Sequence, residues 1–241
     1  MGIRNGMVIV FCLLAVGLEA QTQPIAVDEI VRQHIAALGG LDNLRAAQTM
    51  KLTGQYNYNG MEYPLTVYKK RPDLYRFEID VNGKKVVLGF DGETAWEINE
   101  FQSPQAKAIQ DARSRRFVEA SADFEGAIVN YRQKGHDLTL LGKAEMDGNE
   151  TYHLQVNLQN GQIEHWFIDV STFTVLKRTA QIVRNDGDQQ TQVLYYLDYK
   201  PVDGILIPHY IEREDVQHVR EQVFDAVEIN SNLDNILFKP L

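Results

Sequence analysis

The sequence predicts a mainly β protein in which most strands follow one another as an antiparallel meander. Beyond Thr49, short runs rich in Val, Ile, Thr, Tyr and Phe alternate with Asn-Gly and Asp-Gly pairs. Such pairs favour the positive φ angles of two-residue hairpin turns. The segment TYHLQVNLQ adds strict alternation of apolar and polar residues, which is typical of a strand with one wet face.

Two segments lack this alternation and predict helices. Pro24 to Ala47 has apolar residues at helical spacing and a Gly39-Gly40 stop, which predicts a helix followed by a short second helical turn. Pro104 to Arg132 is rich in helix formers and follows Ser103. The predicted order is therefore helix, five strands, helical insert and about seven strands.

The N-terminus has the layout of a secretory signal peptide. Arg4 precedes an apolar run from Met7 to Leu18, and the small residue Ala20 closes the segment. We expect residues 1–20 to be removed and residues 21–241 to form a single domain exported to the periplasm; an uncleaved anchor is the alternative. Cys12, the one cysteine, lies in this run, so the mature chain has no thiol for a disulfide or a metal.

Charge excludes one class of partner. The net charge is -9 and the Lys and Arg residues are dispersed along the chain. Because binding to a phosphate backbone requires a basic patch, we expect no nucleic-acid partner.

The sequence lacks the common catalytic and metal-binding patterns. The acids of LGFDGETAWEINEF fall on a turn and on a polar strand face, which does not suit a carboxylate pair. The six histidines show none of the usual metal-ligand spacings, and neither GxSxG nor a phosphate-binding glycine loop occurs. We therefore expect no enzyme activity, no metal and no cofactor.

The strand after Pro72 gives the strongest functional signal. Tyr75, Phe77 and Ile79 lie on one face of this strand. They indicate either ordinary core packing or an aromatic-walled apolar cavity with Arg71 at its rim.

Several motifs resemble the outer-membrane lipoprotein carrier family, the LolA- and LolB-like lipoprotein-sorting proteins. The motifs are KRPDLYRF at 70–77, FDGETAW at 90–96 and the following Phe101. The order of signal peptide, helix, strands, helical insert and second strand group extends the resemblance over most of residues 25–215.

The resemblance implies an incomplete, half-open β-barrel of about 11–12 strands, with helices covering its concave face and enclosing a lidded pocket for acyl chains. We expect the wall of this lipid cavity to consist of Tyr75, Phe77, Ile79, Trp96 and Ile98, of which Tyr75 matches a pocket-lining aromatic of the family. Arg71 matches an arginine that latches the lid. Tyr75 replaces an aromatic that is usually phenylalanine.

The function implied is a non-catalytic periplasmic carrier of the acyl chains of lipids or lipoproteins. Such a monomer would transiently contact transport components of the inner and outer membranes. Two alternatives remain open: an envelope sensor of lipids or mislocalised lipoproteins, and an enzyme on the same fold with a small apolar substrate.

Overall fold

The computed structural model describes residues 25–183, 189–214 and 218–240. The predicted signal peptide, Cys12 and the Asp186-Gly187 turn signal lie outside the described residues.

One antiparallel sheet of 13 strands forms the body of the protein, in the order β6-β5-β4-β3-β2-β1-β13-β12-β11-β10-β9-β8-β7. The sheet is curved and not closed, which confirms the predicted mainly β, half-open architecture, although with 13 strands instead of 11–12. The strands are β1 Thr49–Tyr58, β2 Met61–Lys70, β3 Leu74–Val81, β4 Lys84–Phe90, β5 Ala95–Asn99, β6 Ser103–Ala108, β7 Asp137–Met146, β8 Asn149–Asn157, β9 Ile163–Asp169, β10 Val175–Val183, β11 Gln189–Val202, β12 Ile205–Glu214 and β13 Val219–Ile229.

Tight turns connect neighbouring strands where the sequence predicts them. Asn82 and Gly83 both have positive φ and leave Val81 paired with Lys84. Because both turn residues adopt the left-handed region, this hairpin has the two-residue geometry that Asn-Gly favours.

The N-terminal prediction is confirmed by α1 (Val27–Ala37) and α2 (Leu41–Ala46). Gly39 lies between them with a φ of 110°, and a Cβ there would fall 1.9 Å from the main-chain oxygen of Gly204. The helical pair can therefore approach the β11–β12 turn only with glycine at this position.

The helical insert is shorter than the sequence predicts. Ser103–Ala108 form the edge strand β6, and only Ala112–Ala122 form a helix, α3. Pro104 is compatible with this strand because an edge strand leaves one side of its backbone unpaired. Asp111 caps α3 by accepting from the Ser114 main-chain N–H at 2.7 Å, and residues 123–136 continue as turns.

The two faces of the sheet differ in what lies on them. The helices and the 123–136 segment pack on one face, here termed the covered face. It carries two apolar clusters, one on the β1–β5 half that extends onto β12 and β13, and one on the β7–β10 half. The other face, the outer face, is largely solvated and carries the C-terminal 3₁₀ helix Asn235–Phe238 over its β3–β5 region.

Candidate functional site

The covered face of the β1–β5 half is the candidate site. Tyr75 and Phe77 are buried there, and Ile79 packs against the same apolar cluster. The register pairs Phe77 with Leu88 of β4, and its ring meets that of Tyr56 edge to face at 5.7 Å. The structure thus brings three of the five residues predicted for a cavity wall together beneath the helices.

Trp96 and Ile98 lie on the outer face, so the expectation that all five residues share one wall is wrong for these two. Trp96 pairs with Gly89, which pairs with Arg76, and these three residues share the outer face. The indole Nε1 donates to the main-chain oxygen of Phe238 at 3.0 Å. Trp96 therefore holds the C-terminal 3₁₀ helix against the sheet.

The sequence contains the signal that separates these two groups. The β3–β4 and β4–β5 loops each contain an even number of residues, so odd-numbered residues of one strand pair with even-numbered residues of the next. Tyr75 pairs with Phe90 and Phe90 with Ala95. Because adjacent residues of a strand point to opposite faces, Trp96 must lie opposite Tyr75.

Arg71, at the end of β2, joins two parts of the helical cover. Its guanidinium donates to the main-chain oxygens of Ala47 and Leu44, each at 2.7 Å, and to the carboxylate of Glu125 at 2.8 Å. It also lies 4.6 Å from the ring centroid of Phe124. Because Leu44 and Ala47 lie at the end of α2 and Phe124 and Glu125 follow α3, Arg71 bridges both helical segments beside the end of β2.

The 123–136 segment makes further polar links. Both carboxylate oxygens of Asp123 accept from Lys134, at 2.7 and 2.8 Å. Asp28 of α1 accepts from Arg132 at 2.6 Å and from the Tyr131 hydroxyl at 2.8 Å. The hydrogen bond from Arg132 lowers the pKa of Asp28, and burial together with the hydrogen bond to Asp28 raises the pKa of Tyr131 to about 12. The Asp123–Lys134 pair holds the two ends of the segment together, and the contacts with Asp28 fix the segment to α1 at the protein surface.

The covered face of the β7–β10 half contains charged residues that sequence reasoning missed. Glu164 is 2% exposed and accepts from the Trp166 indole at 2.8 Å and from Gln162 at 3.1 Å. Arg178 lies across from them, with its guanidinium 5.5 Å from the centroid of the Trp166 ring. In the strand EHWFIDV, alternation places Glu164 on the same face as Trp166. The sequence therefore contained a signal for a charged residue on this face.

Two acids of LGFDGETAWEINEF, Asp91 and Glu100, accept hydrogen bonds from main-chain N–H groups. Asp91 accepts from the main-chain N–H groups of Glu93 and Thr94 within its turn. Glu100 accepts from the N–H of Lys85 at 2.6 Å. In the described residues, no group of three or more His, Cys, Asp or Glu side chains could hold a metal ion. No helix within the described ranges is long and apolar enough to cross a membrane.

Among the described residues, pockets open at the surface away from the apolar clusters at the following two places. One of about 430 Å³ lies where α2 meets the C-terminal segment and includes Gln48 and Asn230. The other, of about 370 Å³, lies beside the β1–β2 turn and includes Asn57 and His218. Neither pocket is lined by residues of the apolar clusters beneath the helices.

Sequence comparison finds no matching family model and no matching curated protein. Comparison with solved structures finds a DUF1329 family protein from Desulfovibrio piger, with a TM-score of 0.62 and 14% identity over 88% of this chain and 97% of that one. A LolA superfamily protein from Nitrosomonas europaea matches with a TM-score of 0.59 and 14% identity, over 90% and 98% of the two chains.

A third similar structure, a domain from Vibrio parahaemolyticus named for outer membrane lipoprotein sorting, has a TM-score of 0.58 and 14% identity over 88% and 97% of the two chains. Together these similarities confirm the resemblance drawn from the sequence at the level of the fold. The chain has a LolA-like fold.

Proposed function

We propose that this protein is a non-catalytic carrier of the bacterial envelope that binds the acyl chains of lipids or lipoproteins between the covered face and its helices. One observation carries the proposal. The covered face is largely apolar over both halves of the sheet, and its cover consists of short helical segments that pack on it through apolar side chains and are linked to it and to one another by polar side-chain contacts. Such a cover can separate from the sheet without unfolding it.

An acyl chain can replace the apolar contacts that the cover makes. In α3 the residues packed against the sheet include Val118, Ala122 and Phe117, while Arg115 and Glu119 of the same helix are exposed. Transfer of each methylene from water to an apolar surface contributes about 0.8 kcal/mol. A long acyl chain therefore offers enough free energy to offset both the displaced packing and the loss of freedom on binding.

The site residues that support this proposal are Tyr75, Phe77 and Ile79 on the covered face, with Arg71 as a latch. Arg71 suits this role because it contacts the ends of both helical segments through four neighbours. Trp96 and Ile98 are left out because they lie on the outer face. On this proposal, residues 21–241 act as one periplasmic domain after export by residues 1–20, and contact transport components of both membranes transiently.

The test is lipid binding by the purified protein. Lipids extracted from protein prepared without detergent are identified by mass spectrometry, and the delipidated protein is titrated with a neutral fluorescent alkyl probe. We expect co-purifying acyl lipids and saturable binding of the probe at one molecule per chain. Absence of both would overturn the proposal.

A further inference from the structure

Three cationic side chains approach the covered face where the two halves of the sheet meet the 123–136 segment. Lys69 extends from β2 and its Nζ donates to the main-chain oxygen of Asp123 at 3.2 Å. Lys134 binds the Asp123 carboxylate and also donates to the oxygen of Gly126 at 2.8 Å. Arg178 extends from β10 on the other half of the sheet and lies over Trp166.

Gly126 connects these groups in space. A Cβ built on Gly126 would lie 3.9 Å from the Trp166 ring, the same ring that the Arg178 guanidinium approaches. Lys69 interacts electrostatically with Lys134, Arg178 and Asp123. The three cations therefore form one group, here termed the cationic group, beneath the 123–136 segment.

Two carboxylates, Asp123 and Glu164, lie near this group and balance only part of its charge. Asp123 uses both of its oxygens to accept from Lys134, and Glu164 accepts from Trp166 and Gln162. The Nε of Arg178 is buried, has no hydrogen-bond partner among the described residues, and lies 3.8 Å from a Glu164 oxygen. Three cations thus face two carboxylates, which leaves positive charge in excess inside a chain whose net charge is -9.

Burial of this charge has a cost that an anion would offset. Burial, together with the charges of Lys134 and Arg178, lowers the pKa of Lys69 to about 8, although Asp123 opposes the shift. A charge removed from water destabilises a protein unless it is paired or hydrogen bonded. A bound anion would provide the missing acceptor and restore full protonation of Lys69.

We propose that the cationic group binds the carboxylate or phosphate headgroup of an anionic amphiphile whose acyl chain lies along the covered face. This inference rests on the proposed function and narrows it to ligands with a negative headgroup. Lys69 and Arg178 are the binding residues, because Arg178 has an unused donor and Lys69 contacts only a main-chain oxygen within the described residues. Lys134 positions the segment that closes over the headgroup.

The experiment compares ligands that share a chain and differ in charge. Palmitate, hexadecanol and inorganic phosphate each compete with the neutral fluorescent alkyl probe at neutral pH. We expect palmitate to bind about tenfold more tightly than hexadecanol, as a charge-assisted hydrogen bond provides. Inorganic phosphate alone should not displace the probe, because the apolar chain supplies most of the affinity.

Two variants assign the preference to the cationic group. Lys69→Met and Arg178→Met should each bring the affinity for palmitate close to the affinity of the same variant for hexadecanol. Lys51→Met is the matched control, since Lys51 pairs with Glu228 on the outer face and its loss should preserve the preference. In the parent, the preference should fall as the pH rises through about 8, where Lys69 loses its charge.

Three outcomes would overturn the inference. Equal binding of palmitate and hexadecanol by the parent would remove the headgroup site and leave the proposed function standing. If inorganic phosphate displaced the probe as effectively as palmitate does, the cationic group would be a site for free anions and not for an amphiphile. If Lys69→Met and Arg178→Met both fold, as judged by circular dichroism, and both still prefer palmitate to hexadecanol, the headgroup is recognised elsewhere. Failure of every ligand to bind would instead reject the proposed function itself.

Discussion

Arg71 and Glu125 form an ion pair of 2.8 Å that joins the end of β2 to the segment following α3. The Glu125 side chain is 8% exposed, so its carboxylate depends on this partner for compensation of its charge. The same guanidinium satisfies two carbonyls at the end of α2. One side chain thus couples two separate helical parts of the cover.

Arg71→Leu should loosen the cover and leave the sheet folded. We expect a loss of about 3 kcal/mol in the free energy of local opening, because the variant leaves Glu125 and two carbonyls without their donor. Hydrogen exchange of residues 123–131 should accelerate, and an acyl probe should exchange faster. Arg45→Leu is the control, because Arg45 is an exposed arginine on α2, the helix whose end Arg71 contacts. Equal exchange in both variants would reduce Arg71 to an ordinary strand-end arginine.

Gly89→Ala should destabilise the protein through Trp96. A Cβ at position 89 would lie 2.2 Å from the indole ring of Trp96, which is fully buried. We expect the free energy of unfolding to fall by about 1–3 kcal/mol, as overpacking usually costs. The same substitution made with Trp96→Phe should cost less, because the smaller ring leaves room for the methyl group. Equal costs in the two backgrounds, measured by urea unfolding, would contradict this contact.

Stability should decrease on mild acidification because of His34. This side chain is 4% exposed, and its Nδ1 donates to the main-chain oxygen of Phe173 at 2.8 Å. Burial lowers its pKa below the ordinary value of 6.5. The unfolded chain therefore binds a proton more readily than the folded one, so the contribution is fully present above pH 6.5 and is lost as the pH falls through the lowered value.

Urea unfolding at a series of pH values measures this effect. The parent should lose more stability than His34→Gln as the pH falls below 6.5, the ordinary pKa of histidine. The comparison removes the contribution of carboxylates that both proteins share. Identical pH profiles would show that His34 does not control the packing of α1.

Alanine substitutions of two phenylalanines on opposite faces of the sheet should distinguish a loss of stability from a loss of acyl binding. Phe77 lies on the covered face, whereas Phe238 belongs to the 3₁₀ helix on the outer face and is fully buried. Alanine at either position should cost about 3–5 kcal/mol in unfolding free energy. Only Phe77→Ala should weaken binding of the alkyl probe, provided that both variants remain folded. Equal weakening by Phe238→Ala would argue against the covered face as the site.

Local sequence patterns were enough to predict the strand-rich class, the hairpin turns and the N-terminal helices. Asn82 and Gly83 show why, since their preference for positive φ is a local property that also sets the strand register. β6 was missed because Ser103–Ala108 has little alternation and becomes a strand through pairing with β5. Tertiary pairing of this kind overrides local propensity.

The site was harder to predict because it depends on contacts between distant strands. Trp96 was placed on the wrong face even though counting residues through two turns separates it from Tyr75. Lys69 belongs to β2 and Arg178 to β10, which are far apart in the sequence. Nothing in the sequence indicates that the 123–136 segment lies against both strands. The sequence signal for the cationic group was the presence of charged residues at positions of β2 and β10 that face the apolar core.

The two tryptophans offer the most direct test of acyl binding at the covered face, because Trp166 lies beneath the helices and Trp96 lies on the outer face. Trp96→Phe and Trp166→Phe each leave a single tryptophan, which is excited selectively at about 295 nm or longer wavelengths, since the chain has two tryptophans. Each variant is titrated with dibromostearate, whose bromines quench an indole that they contact. Binding beneath the helices predicts saturable quenching of Trp166 in the first variant and little quenching of Trp96 in the second. Quenching of Trp96 alone, or of neither residue, would contradict it.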